Sequence, residues 1–327
     1  MSGVLLRERG FEEGDGGPSR LRFRLLGPLQ TNRGTKALEL GPPKQRALLA
    51  VLLLRPGMET GVDQLIEALW GEDHPAYAKN LIQKSVSGLR GLLSADAADA
   101  GGSGGKGGKG GTGDKAGEGD KGDGRGVSLE WSAGGYRLDI GDSEVDLYEY
   151  ERLAAAGIAA ARKGEIPQAV GLLEKARTMS TGPLAEGLEG PMLDRERLYR
   201  QERFLADMEV RAELELELGR HRNAVPYLYY AVDKYPLRER FLWLLMLALY
   251  RSDRGNEALT VYGAQRARVV RELGVEPGSA LRALHARLLL QDPQLMVMSA
   301  LRRDSGAAED EFVPAPRLPP ARRGPFG

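Results

Sequence analysis

Between Pro43 and Ile140, three segments with helical apolar spacing precede two short strand-like runs, and few folds have that order. The first segment opens on Pro42-Pro43, carries Leu48, Leu49, Leu52 and Leu53 inward, and stops before Pro56-Gly57. The second is capped at Thr60 or Gly61 and turns Leu65, Ile66, Leu69 and Trp70 inward. It ends at Gly71 and Pro75. The third runs from Tyr77 to Leu93. Val127–Trp131 and Tyr136–Ile140 then read as two strands joined around Ala133-Gly134-Gly135. Three helices closed by a hairpin make a winged helix, which offers one helix to a DNA major groove and its hairpin to the backbone alongside.

The third segment has the two faces this job needs. Leu81, Ile82, Val86, Leu89, Leu92 and Leu93 form one apolar stripe. Lys79, Asn80, Gln83, Lys84, Ser87 and Arg90 lie mainly away from it. Asn and Gln can bond adenine in a bidentate way, and Arg and Lys can bond guanine or phosphate. Asn80, Gln83, Lys84 and Ser87 are the expected base readers, with Arg90, a turn further on, expected at a phosphate. Taken alone, the helix reads more simply as an amphipathic helix with a solvated face. The rest of the chain shifts that reading.

Ahead of these helices, Leu21–Leu26 alternates apolar and basic residues as a half-buried strand does. Asn32-Arg33-Gly34 reads as a turn and Ala37–Leu40 as a second short strand. Residues 1–20 lack a sustained pattern and read as a flexible tail. Basic and acidic residues balance at 46 each, so the whole chain is not basic. From Leu21 to Ser94, however, ten Lys and Arg face six Asp and Glu, a surplus that permits a local phosphate-facing patch. The absence of cysteine excludes disulfides, zinc ribbons and thiol chemistry, and a reducing cytoplasm fits it. No run of about twenty apolar residues offers a membrane span.

Residues 101–126 are mostly glycine with scattered Lys, Asp and Glu. Such a segment buries too little apolar surface to offset its ordering entropy, so it reads as a disordered insertion between the third helix and the wing. It does not complete a phosphate-binding Gly-x-x-x-x-Gly-Lys-Ser/Thr loop. Residues 143–295 read as nearly all helix. Gly219, Ala224, Leu228, Ala231 and Pro236 occupy the small, small, large, small and breaker positions of a tetratricopeptide unit. Ala258 follows Ala224 by 34 residues, the tetratricopeptide period. Tyr262 takes the next large slot, although Asp253 stands where glycine is usual. Gly164, Ala169, Leu173 and Ala176 repeat the spacing earlier. Leu193–Leu218 reads as one extended helix or two abutting ones, its Arg and Glu residues as a solvated face. Residues 296–327 are Pro- and Arg-rich and read as a disordered tail.

Nothing points to catalysis. His74, His221 and His285 lie in different elements without metal-ligand spacing, and read as surface or packing residues. No nucleophile elbow or dinucleotide fingerprint occurs. The expectation is no enzyme, no cofactor and no metal.

Several stretches together resemble the Streptomyces antibiotic regulatory protein family of transcriptional activators. They are Leu21–Leu29, Pro43–Ala50, Leu65–Gly71 and Gly135-Tyr136-Arg137-Leu138 in the first half. In the second half they are Pro236–Arg240, Leu245–Ser252, Glu272–Gly278 and Gln291-Asp292-Pro293. The resemblance implies a winged helix-turn-helix domain at 21–142, followed at 143–295 by an all-α, tetratricopeptide-like activation domain. The fold class is then mainly α with a small β part. The implied partners are double-stranded promoter DNA carrying direct repeats, RNA polymerase holoenzyme, and a second copy on DNA, with no membrane. The implied targets are secondary-metabolite gene clusters, and Arg137 joins the helix residues as a DNA contact from the wing. The length resembles that of the family's small members. One departure stands out: the family's reader helix carries a dense basic run where this chain has Ser87-Gly88-Leu89-Arg90-Gly91. Gly88 and Gly91 stand where arginine is frequent, which leaves open a helical adaptor with weak or no DNA binding.

Overall fold

The computed structural model describes residues 20–93, 126–132 and 134–297. The two tails and the glycine-rich insertion read from the sequence lie almost wholly outside these residues. The chain forms two compact units. One comprises Met1–Ala160 with Gly171–Asp207, and the other Ala161–Val170 with Met208–Gly327. The fold is mainly helical with a small β part: a winged helix-turn-helix followed by an all-α, tetratricopeptide-like region.

In the first unit, β1 (Leu21–Arg24), β2 (Gln30–Arg33) and β3 (Lys36–Ala37) form an antiparallel meander. α1 (Pro43–Leu53), β4 (Thr60–Gly61), α2 (Val62–Trp70) and α3 (Ala78–Leu93) follow, and then the hairpin β5 (Ser128–Ser132) and β6 (Gly135–Asp139). β7 (Glu144–Val145) returns to pair with β1 in parallel, which gives one sheet the order β3-β2-β1-β7 and the other β4-β6-β5. The three helices pack on one another around Leu48, Leu49, Leu52, Leu65, Ile82 and Leu89, all nearly solvent-free. Lys44 donates to the Leu69 carbonyl at 3.0 Å, satisfying an acceptor at the C-terminal end of α2 and placing a cation where the helix dipole favours one.

The strand expected over Leu21–Leu26 stops at Arg24 because another group takes its next two amides. Leu25 and Leu26 donate their N–H groups to the Asp146 carboxylate at 2.7 and 3.0 Å. Asp146 opens α4 (Asp146–Arg162) and is buried. Burial raises its pKa, while the amides of Leu25, Leu26 and Leu147 pull it back. The loop after α5 (Ile166–Met179) also reaches this place, Thr181 and Ala185 donating backbone N–H groups to Leu26 and Leu25. Arg197, on the single continuous helix α6 (Pro191–Glu217), ties the same loop down through the carbonyls of Leu184, Ala185 and Leu188. Its charge therefore serves the backbone of its own unit, beyond the solvated face expected of it.

In the second unit, α7 (His221–Lys234), α8 (Glu239–Tyr250), α9 (Gly255–Leu273) and α10 (Ser279–Leu289) stack, with α8 packed against the other three. Ala224, Leu228, Ala231 and Ala258 are fully buried and Tyr262 nearly so, as a repeat core requires. Asp253, in the usual glycine position, has φ +63°, a left-handed conformation that Asp tolerates better than most residues. A short 3₁₀ turn (Pro293–Met296) closes the described chain, its Leu295 carbonyl receiving the buried Arg251 Nε at 2.7 Å. No helix among the described residues is long and apolar enough to cross a membrane.

Candidate nucleic-acid interface

The candidate surface is the solvent side of α3 with the wing beside it. Ala78, Ile82, Val86, Leu89 and Leu93 are buried, while Leu81 and Leu92 of the expected stripe are half-buried at its margin. Lys79, Asn80, Gln83, Lys84, Ser87, Arg90 and Gly91 are exposed. At 3.6 residues per turn these seven positions fall within about 140° of the helix circumference. The sequence thus places donors, acceptors and cations on one continuous strip.

The strip is not uniform. Lys79, at one margin, pairs with Asp63 of α2 at 3.4 Å, both groups well exposed. A surface pair of this kind contributes little stability, so the ammonium can exchange that carboxylate for another anion at small cost. Arg90 donates from Nε to the Leu129 carbonyl of β5 at 2.6 Å, and its guanidinium lies 6.0 Å from the Tyr136 ring. It braces the wing against α3. Asn80, Gln83 and Ser87 remain as the exposed centre of the strip, with Lys84 at its other margin.

Gly88 lies off the strip. A Cβ built there would stand 2.6 Å from Gln45 Oε1 of α1. Gln45 is buried and donates from Nε2 to the Leu40 carbonyl at 3.0 Å. Gly88 is therefore a place where α3 comes close to the Gln45 amide of α1, where the family resemblance suggested a missing arginine. At Gly91 an added Cβ would meet nothing within 4 Å. Only Gly91 is a smooth place on the exposed face.

The wing also has two faces. Cross-strand partners Leu129↔Leu138 and Trp131↔Tyr136, with Thr60↔Tyr136 from β4, share one side. Leu129, Leu138, Tyr136 and Thr60 are buried on it. The other side carries Glu130 and Arg137, directly opposed in register, 3.8 Å apart as an ion pair. Glu59 accepts a 2.6 Å hydrogen bond from the Ser132 hydroxyl near the hairpin tip. Arg137 thus stands apart from the α3 strip, paired with a carboxylate. Sequence reasoning passed over Trp131, which is 54% exposed; its strand alternation was the available signal. Among the described residues no cluster of His, Cys, Asp or Glu could hold a metal. His285 stacks on Tyr262 at 4.0 Å, a packing role.

Residues 145–289 match the bacterial transcriptional activator domain. The transcriptional regulator RedD of Streptomyces coelicolor is 33% identical over 309 residues, covering 92% of this chain and 81% of that protein. The chain belongs to the Streptomyces antibiotic regulatory protein family of transcriptional regulators. The regulatory protein AfsR of the same organism is 34% identical over 302 residues, or 92% of this chain, yet the match spans only 27% of AfsR. The solved structure of Mycobacterium tuberculosis EmbR, in complex with a low-affinity phosphopeptide, superposes with a TM-score of 0.71 at 32% identity. It covers 88% of this chain and 69% of that one. EmbR thus shares with this chain the arrangement of winged helix and helical domain.

Proposed function

We propose that this chain is a sequence-specific, DNA-binding transcriptional activator of a secondary-metabolite gene cluster. Residues 21–142 read promoter direct repeats, and residues 143–295 hold a second copy and contact RNA polymerase holoenzyme. The protein works in the cytoplasm, without a cofactor and without catalysis. One observation carries the reading: Asn80, Gln83, Lys84 and Ser87 stand exposed on one strip of the third helix of a winged helix that also carries a braced hairpin. That is the chemistry of base-edge recognition on the element that enters the groove in such folds. A side chain at Gly88 would press on the Gln45 amide, so this glycine has a packing reason and speaks less for an adaptor without DNA binding than Gly91 does.

The test is a gel shift with the full chain on promoters of its own gene neighbourhood, at stated salt, followed by transcription in vitro with polymerase. Specific retardation and activated transcripts are expected. Moving one repeat by half a helical turn should weaken cooperative binding, because it carries one copy to the opposite DNA face. Failure to bind any of these promoters better than unrelated DNA refutes the proposal.

A further inference from the structure

Trp131 sits on the side of the wing that faces α3. Its strand neighbour two residues back, Leu129, is buried on that side, and the strand alternates faces with period two. Tyr136, directly across the hairpin, meets the indole edge-to-face at 4.9 Å and 78°. Tyr136 is itself buried and lies under the Arg90 guanidinium. A file of Leu129, Tyr136 and Trp131 therefore runs outward from the core, and the indole is where it emerges, 54% exposed. Single exposed apolar side chains are common and need no function. The place of this one sets it apart: the indole shares the hairpin face of Leu129, whose carbonyl binds Arg90 of α3, and stands one residue from the Ser132–Glu59 hydrogen bond that holds the tip.

The two faces of the wing differ in what they offer a phosphate chain. The outer face carries Glu130 and Glu59 around Arg137, and these carboxylates repel a polyanion. The inner face carries an uncharged ring with a single N–H donor. Opposite it, α3 supplies the Arg90 strut, with Lys84 about 120° further round the helix. A duplex whose major groove receives α3 has one strand's backbone passing between helix and wing. An indole suits that backbone, its flat body against deoxyribose and its Nε1–H within reach of a phosphate oxygen.

We propose that Trp131 packs on the sugar–phosphate backbone of the DNA strand lying between α3 and the wing, and so sets the depth at which α3 enters the groove. This rests on the DNA-binding reading above. The contact is apolar and releases few counterions, so its loss weakens binding without changing the dependence on salt.

The experiment uses the full chain and a fluorescently labelled duplex selected by the parent protein from a random-sequence library. Labelled-DNA anisotropy measures binding, and tryptophan emission reports the ring. The protein has three tryptophans, and Trp243 is buried, so the difference between parent and Trp131→Phe isolates position 131. Adding duplex should change the parent's emission, and the change should vanish in Trp131→Phe. Trp131→Ala should bind about tenfold more weakly with an unchanged salt slope. Lys84→Ala, by contrast, should reduce that slope. If Trp131→Ala does not fold, the emission difference between parent and Trp131→Phe still decides. Duplex binding by the parent with unaltered Trp131 emission, or equal affinity in a folded Trp131→Ala, overturns the inference and leaves the DNA reading standing. Absence of any duplex that the parent retains overturns both.

Discussion

α3 and α8 are both built on regularly spaced leucines, yet they meet solvent in opposite ways. From Phe241 to Leu249 every residue of α8 is buried, including Trp243. On α3 about 140° of the circumference is bare. A helix that is apolar all round has only one thing to do, which is to be the core of its unit. A helix with one bare face has structure on one side and chemistry available on the other. The difference teaches where substitution should register: as lost folding on α8, and as lost recognition on α3.

The largest effect should come from α8. Leu245→Ala leaves a cavity in the core of the second unit and should cost about 2–5 kcal/mol of stability, measured by urea unfolding. A cost below about 1 kcal/mol would mean that the stack closes around the gap, against native packing density. Next comes α3. Gln83→Ala and Lys84→Ala should each lose about 1–3 kcal/mol of specific binding where a good base contact is made, with the unfolding midpoint unmoved. If both variants bind like the parent, the exposed strip is only a solvated face.

The two glycines of α3 sharpen the contrast within a single helix. Gly91→Ala meets open space and gains helix propensity, so it should stabilise by up to about 1 kcal/mol. Gly88→Ala gains the same propensity but pushes Gln45 off the Leu40 carbonyl, leaving buried polar groups unmet. It should destabilise by about 1 kcal/mol. Equal and positive shifts in a thermal melt would show that Gln45 yields freely.

The smallest effect is a pH dependence of the helical unit. Burial lowers the pKa of His221 below its ordinary 6.5, with Arg251 adding to the shift, and burial lowers that of His285, with Arg266 adding. Folding therefore favours the neutral rings. That stability is present above pH 6.5 and is lost as pH falls through the depressed folded values. A melt series from neutral to mildly acid pH should show this loss, and the double variant His221→Asn, His285→Asn should flatten it. An unchanged slope in the double variant assigns the acid sensitivity elsewhere.

Helix periodicity made α1, α2 and α3 legible in the sequence to within a residue or so, because a helix repeats over three or four neighbours and every turn restates the pattern. The wing strands were legible within a residue for the same local reason, alternation ending on glycine. β4 and β7 were not. Each is two residues long, too short to alternate, and exists only because β6 and β1 offer it partners. β2 was hidden too, since Gln30-Thr31-Asn32-Arg33 carries no apolar signal, although Thr31 is buried.

The sequence by itself thus determined which segments are helices, which face of α3 is polar, and that the second half repeats. The tertiary structure alone decided what four residues do in the fold. Gly88 became a crossing point because Gln45 lies against it, and Arg90 a brace because the Leu129 carbonyl stands within 2.6 Å. Asp146 ends β1 by reaching amides 121 and 120 positions earlier, and Trp131 comes to lie on Tyr136, its cross-strand partner. Periodicity records only what a residue's near neighbours need. A hydrogen bond or a close approach between distant segments leaves no periodic trace, because its two halves share no stretch of chain.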